Sequence, residues 1–232
     1  MLICARGENF GFAKEIGVGL VESASLLTSL ILRENPQFLI FIGSAGSYDE
    51  NLKLFDIAIS CSATQIEHSF TQSKSYTPID NKIEIVSYET TPLFSQDFTK
   101  RQNANTQDST MRMPTNSLDS ASIDSAMPDS TKSQNLLAIA LKKMSHFPSV
   151  IVNSSNYICT DTAYAKQMKN AGIALENMEF FAVLKVADYF KIPAFGIFCI
   201  TNYCDENAHS DFLANHSKAR KILESNARQL YE

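Results

Sequence analysis

The sequence has no excess of basic charge, no long apolar run and no paired cysteines, and each lack removes a class of function. Twenty Lys and Arg stand against 25 Asp and Glu, a formal charge of −5. A nucleic-acid-binding face carries a basic excess, so no nucleic-acid partner is expected. No apolar stretch approaches the ~18–20 residues that span a bilayer, so no membrane partner is expected either. The opening Met1-Leu2-Ile3-Cys4-Ala5-Arg6 has no basic region followed by a long apolar segment, unlike a secretory signal. Five cysteines (Cys4, Cys61, Cys159, Cys199 and Cys204) are odd in number, scattered and without a C-x-x-C pair. Their spacing points away from zinc ribbons, redox motifs and disulfide frameworks. No metal is expected from it, and a reducing cytoplasm is the natural setting.

What is present suits one domain spanning 1–232. The chain has 232 residues, 44% of them hydrophobic, and a chain of that length buries about 70–75% of its extended-state surface. The composition breaks once. From Arg101 to Asn135 it is dominated by Ser, Thr, Asn, Gln and Asp, too polar to offset the entropy of ordering. Residues 95–133 are therefore read as a solvated insertion, with a lid over an active site as the functional option.

Elsewhere apolar strands alternate with helices. Met1–Ala5, Phe38–Ile42, Ile57–Ile59, Ile83–Val86, Val150–Val152 and Ala194–Ile200 are short apolar runs suited to buried strands. Leu20–Leu32, Leu136–Met144, Ala163–Asn170, Phe180–Phe190 and the tail from Asp211 carry helical spacing. Gly172 follows the third of these as a left-handed stop. The alternation predicts a three-layer α/β protein, with a mixed, mainly parallel sheet flanked by helices. Ligands of such sheets sit outside the carboxyl ends of the strands.

Four polar groups stand at those ends. Gly43-Ser44-Ala45-Gly46 offers backbone amides and a hydroxyl to an anion or to sugar oxygens, or it is a plain turn. Asn153-Ser154-Ser155-Asn156-Tyr157-Ile158 includes an aromatic able to stack on a flat base. Glu179 precedes the apolar helix, where it either balances the helix dipole or accepts two hydrogen bonds from a vicinal diol. Asn202 follows the last strand; its amide offers a donor and an acceptor together, suited to a heterocycle edge.

The order of these elements resembles the nucleoside phosphorylase and nucleosidase family. The resemblance is carried by Gly17-x-Gly19 before a helix, Gly43-Ser44-x-Gly46 after a strand, and Phe55-Asp56-Ile57. It continues with Asn177-Met178-Glu179, where the family has E-M-E, and Thr201-Asn202, where it has S-D or T-N. It implies that Glu179 binds the ribose 2′- and 3′-hydroxyls and that Met178 packs against the sugar. Tyr157 would stack on the base beside Ile158, with Asn177, Gly43 and Ser44 lining the site. Arg6, Ser44 and the Gly17 backbone are the phosphate candidates.

Nucleosidases of this family carry Asp where Asn202 stands, whereas phosphorylases acting on inosine and guanosine carry Asn. The leading expectation is therefore a purine nucleoside phosphorylase for 6-oxopurine nucleosides, with phosphate as co-substrate and no other cofactor. The alternatives are hydrolysis of the same bond by water and a non-catalytic nucleoside-binding module. For hydrolysis, Glu8 is the nearest candidate to activate water; within the leading reading, Asp205 is the fallback acid if the register at Asn202 is off by a loop residue. A homo-oligomer is implied, and His68 is a candidate for a subunit interface. His209 and His216 read as surface residues, and Arg33 as a helix cap.

Overall fold

The computed structural model describes residues 1–85 and 130–230. The expected insertion lies outside these up to position 129, and its last four positions open a helix instead. Among the described residues the strands are β1 Leu2–Cys4, β2 Lys14–Glu15, β3 Leu39–Ser47, β4 Ile57–Thr64, β5 Lys82–Glu84, β6 Ser149–Asn153, β7 Leu175–Glu176 and β8 Ala194–Tyr203. The helices are α1 Gly19–Glu34, α2 His68–Thr71, α3 Ser130–Lys143, α4 Thr162–Asn170, α5 Phe180–Tyr189 and α6 Ala208–Arg228.

Side-chain alternation along the strands builds two cores. On β3, Leu39 and Phe41 face one cluster while Ile40 and Ile42 face the other, as the two-residue period requires. The first cluster is covered by Leu27 and Ile31 of α1 and by Phe180, Val183 and Leu184 of α5. Phe180 sits edge-on to Phe198 with ring centroids 5.0 Å apart, and Phe41 packs 5.7 Å from Phe198. The second cluster is covered by Leu137 and Ala140 of α3 and by Ala219 and Leu223 of α6. Helices thus lie on both faces of the sheet, as the alternating apolar runs predict.

The sheet itself departs from an open three-layer arrangement. β3 pairs with β8 and β7, β7 with β6, β6 with β4, and β4 with β8. Those five strands close a hydrogen-bonded circuit, so the sheet is barrel-like. It is mixed: β3 and β8 run parallel, while β4 crosses antiparallel to β8. Apolar runs reveal strands but carry no signal of which two edges meet, so ring closure is invisible in the pattern.

The closure also explains the small residues of β3. Gly43-Ser44-Ala45-Gly46 does not form a turn after the strand; it continues the strand to Ser47. A Cβ on Gly46 would fall 2.9 Å from the Asn202 amide nitrogen and 3.1 Å from the Glu176 side chain. Glycine lets β3 and the neighbouring strands crowd at this point. The register of β3 against β8 shifts between Ala45 and Gly46, which pair with Ile200 and Asn202. This bulge leaves Thr201 unpaired in the ladder and re-aims the end of β8.

Candidate active site

The carboxyl ends of five strands converge on one cavity of about 500 Å³. Ala5, Arg6, Gly7 and Glu8 follow β1, and Ser44, Ala45 and Gly46 lie late in β3. Ser155, Tyr157 and Ile158 follow β6, and Glu176, Asn177, Met178 and Glu179 lead from β7 into α5. Thr201 and Asn202 lie late in β8, and α6 adds Ala208, Phe212 and His216.

Glu8 is 6% exposed and is held on three sides. It accepts hydrogen bonds from the Ser44 amide at 2.9 Å, the Ser44 hydroxyl at 2.7 Å and His216 Nε2 at 3.0 Å. Burial pushes its carboxyl up, but the bonds from His216 and Ser44 outweigh this and hold it below the ordinary range. The same contact with Glu8 raises the His216 imidazole. At neutral pH Glu8 is therefore an ionised carboxylate on the cavity wall.

Glu179 is 3% exposed and takes the opposite character. It accepts one hydrogen bond from the Gly19 amide at 3.0 Å. Gly19 holds φ +76 and has Asn156 2.7 Å from where a Cβ would sit, so a side chain there is doubly disfavoured. Burial pushes the Glu179 carboxyl up to about 7, and the Glu8 charge adds to the rise. Two carboxylates in one cavity thus differ in acidity, Glu8 held low and Glu179 raised.

Asn177 is chiefly a positioning residue. Its side-chain oxygen accepts from the amides of Glu179 and Phe180 at 2.9 and 3.0 Å, and its nitrogen donates to the Ser44 carbonyl at 3.1 Å. It caps the start of α5 and ties it to β3. Asn202 is buried; its oxygen accepts from the Thr201 hydroxyl at 2.9 Å and its nitrogen donates to the Tyr203 carbonyl at 3.1 Å. Tyr157 lines the cavity while 78% exposed. Glu176 is pushed up to about 7 by burial, against the hydrogen bonds it accepts from the Cys159 amide and the Tyr48 hydroxyl.

The structure also separates residues that the sequence groups together. Gly17 and Gly43 are not in the cavity wall. Gly17, at φ +96, lets the chain pass the Glu22 side chain, and a Cβ on Gly43 would strike the Phe41 ring. Arg6 reaches the wall but its guanidinium is paired with Glu22. Asp205 accepts from the Asn207 amide in a turn outside the wall, so it does not stand in for an acid at Asn202. His68 lies outside the cavity, 3.5 Å from Asp161. His209 is exposed as expected, but His216 is not a surface residue: it is half-buried against Glu8. Phe212 and His216 are one helical turn apart, on one face of α6, with ring centroids 5.1 Å apart.

The mixed ring of strands is the fold of a known class. A family model described as the phosphorylase superfamily matches residues 11–231, and the chain belongs to that family. Solved structures share the fold. Futalosine hydrolase of Helicobacter pylori is 15% identical, with a TM-score of 0.66, covering 99% of this chain and 95% of that one. The 5′-methylthioadenosine/S-adenosylhomocysteine nucleosidase of Helicobacter pylori, solved with butyl-thio-DADMe-Immucillin-A, is 16% identical, with a TM-score of 0.66 and coverage of 99% and 96%. The S-adenosylhomocysteine nucleosidase of Streptococcus pyogenes, in complex with 5-methylthiotubericidin, is 13% identical, with a TM-score of 0.63 and coverage of 94% and 77%. No curated protein sequence matches the chain. No described helix is long and apolar enough to cross a membrane.

Proposed function

We propose that the protein is a purine nucleosidase, using water rather than phosphate to cleave the N-glycosidic bond of a 6-oxopurine nucleoside. The observation that carries this is Glu8, an ionised carboxylate fixed on the cavity wall by Ser44 and His216. In this reading Glu8 takes a proton from water as the water oxygen bonds to the anomeric carbon and the bond to the base breaks. Glu179 accepts the ribose hydroxyls and places negative charge beside the sugar as positive charge develops there. The base departs as an anion held by the Asn202 amide and takes its proton from solvent. Contacts of this kind are worth on the order of 3–4 kcal/mol each in the transition state. Met178 packs on the sugar, and Tyr157 and Ile158 cover the base.

Charge favours water over phosphate. Glu8, Glu176 and Glu179 all line the cavity, while its cationic groups are engaged, Arg6 with Glu22 and His216 with Glu8. A phosphate dianion entering here meets the ionised Glu8 and, among the described wall residues, no unengaged cation. The structural neighbours named above support the same choice, being hydrolases and nucleosidases. The reading includes a single domain over 1–232 working as a homo-oligomer.

Incubation with inosine, guanosine, adenosine and methylthioadenosine, with and without phosphate, tests the proposal. Equal release of hypoxanthine or guanine in both conditions is expected. Release that requires phosphate restores phosphorolysis, release from adenosine or methylthioadenosine alone removes the 6-oxopurine assignment, and binding without cleavage of any of the four leaves a binding module.

The pH profile supplies a second test. Glu8 is held low by its partners, so its own ionisation is lost only as pH falls through its depressed value. His216→Asn removes the cation and leaves the burial. In the nucleoside complex the ribose hydroxyls favour the ionised form of Glu179, so the acid limb of kcat reports Glu8 and is expected to move up. An unmoved limb means that His216 does not tune Glu8.

A further inference from the structure

The chain brings together Cys159, Glu176 and Cys204, three potential ligands from three separate segments: the loop after β6, the end of β7 and the residue after β8. Their sulfur and carboxylate oxygen atoms all lie within 4.8 Å of one another. Tetrahedral zinc, with bonds of about 2.3 Å to sulfur and 2.0–2.2 Å to oxygen, sets its ligand atoms about 3.5–3.8 Å apart. Closing the cluster onto an ion therefore takes side-chain adjustments of about 1 Å, without moving the strands.

The surroundings are built as a metal site's would be. Cys204 is 2% exposed and packs with Tyr48, Tyr164, Met168 and Ile173. The Tyr48 hydroxyl donates to one Glu176 oxygen at 3.0 Å, and the Cys159 amide donates to the other at 3.1 Å, which fixes the carboxylate's orientation. Both donors are neutral, so they bring no balancing charge to this half-buried carboxylate when it is ionised. A cation between the sulfurs and the carboxylate supplies that charge. Two thiolates select a soft, thiophilic ion over magnesium or calcium. The spacing along the chain hides all of this, because no two of the three ligands are near neighbours in sequence.

We propose that Cys159, Glu176 and Cys204 form a three-ligand site for a thiophilic divalent cation of the zinc class, with a water in the fourth position. Binding replaces two S–H bonds with two metal–sulfur bonds and releases two protons to the buffer. Glu176 belongs both to this cluster and to the wall of the cavity. The inference stands on these contacts alone and does not depend on the catalytic reading.

The test uses the full chain, reduced and stripped with a chelator, titrated with zinc alone by calorimetry. One equivalent bound, with proton release that varies with buffer, is expected. Cobalt in place of zinc is expected to give a thiolate-to-metal charge-transfer band. Cys159→Ser and Cys204→Ser should each weaken zinc binding beyond the ~10–100-fold that loss of an outer partner costs, while Cys61→Ser leaves it unchanged. Where a serine variant fails to fold, mapping of the thiols that zinc protects from alkylation decides on the native chain. Protection of Cys159 and Cys204 supports the site; protection of other cysteines overturns it. No zinc uptake, unchanged affinity in both folded variants, or a Cys159–Cys204 disulfide whose reduced form takes up no zinc also overturns it.

Discussion

Replacing Glu8 with glutamine is expected to lower kcat for base release by about 10²–10⁴-fold, the range of a positioned general base, while KM changes by only a few-fold. Glutamine keeps an oxygen for the Ser44 amide and hydroxyl, so the wall that those bonds hold at 2.9 and 2.7 Å is retained. What is lost is the capacity to take a proton from water. The substitution also removes the charge that raises His216, so the imidazole returns toward its ordinary acidity and loses its cation near neutral pH. Steady-state kinetics with circular dichroism as a folding control measures both effects. A folded variant keeping a tenth or more of its kcat removes Glu8 from the reaction, and a loss confined to KM makes it a binding residue. A phosphorolytic enzyme gives a different signature, because there the nucleophile is phosphate and the glutamine variant keeps its phosphate-dependent rate.

The Glu8–His216 contact also shows where sequence reading stops. Strand and helix positions follow from apolar periodicity, because burial acts on each segment separately. Glu179 could be placed because it directly precedes an apolar helix and Asn202 because it closely follows an apolar strand, while Asn177 and Met178 came with the family resemblance. Glu8 and His216 lie at opposite ends of the chain and meet only because α6 packs back over β3 and β8. Nothing in the residues around His216 reports that contact. The ring of strands escapes the sequence for the same reason. The pairing of β4 with β8 is set by how the finished sheet twists, and the only local trace is the run of small residues that allows β3, β7 and β8 to crowd at Gly46.

Glu179→Gln is expected to abolish turnover and, at the same time, to make the protein more stable at alkaline pH. Burial holds the Glu179 carboxyl at about 7, above its value in the unfolded chain near 4.5. A carboxyl raised in this way binds its proton more tightly folded than unfolded. Its contribution to stability therefore falls as pH rises from the unfolded to the folded value, and above the latter the full cost is present. At pH 8 that cost is on the order of 3 kcal/mol. Glutamine is neutral throughout and still accepts from the Gly19 amide, so it escapes the cost without losing that hydrogen bond. The variant should melt at higher temperature than the native protein at pH 8, with the difference vanishing by about pH 4.5. Thermal melts across this range measure it, and equal melting at pH 8 means that Glu179 is not held in its buried, raised state. Activity moves the other way, since an amide cannot accept from both ribose hydroxyls as a carboxylate does. A carboxylate kept dry at the end of a helix-entry loop, at a cost to stability that only a bound diol offsets, is what a ligand-binding role requires and a structural role does not. The opposite signs of the two effects in one variant distinguish them.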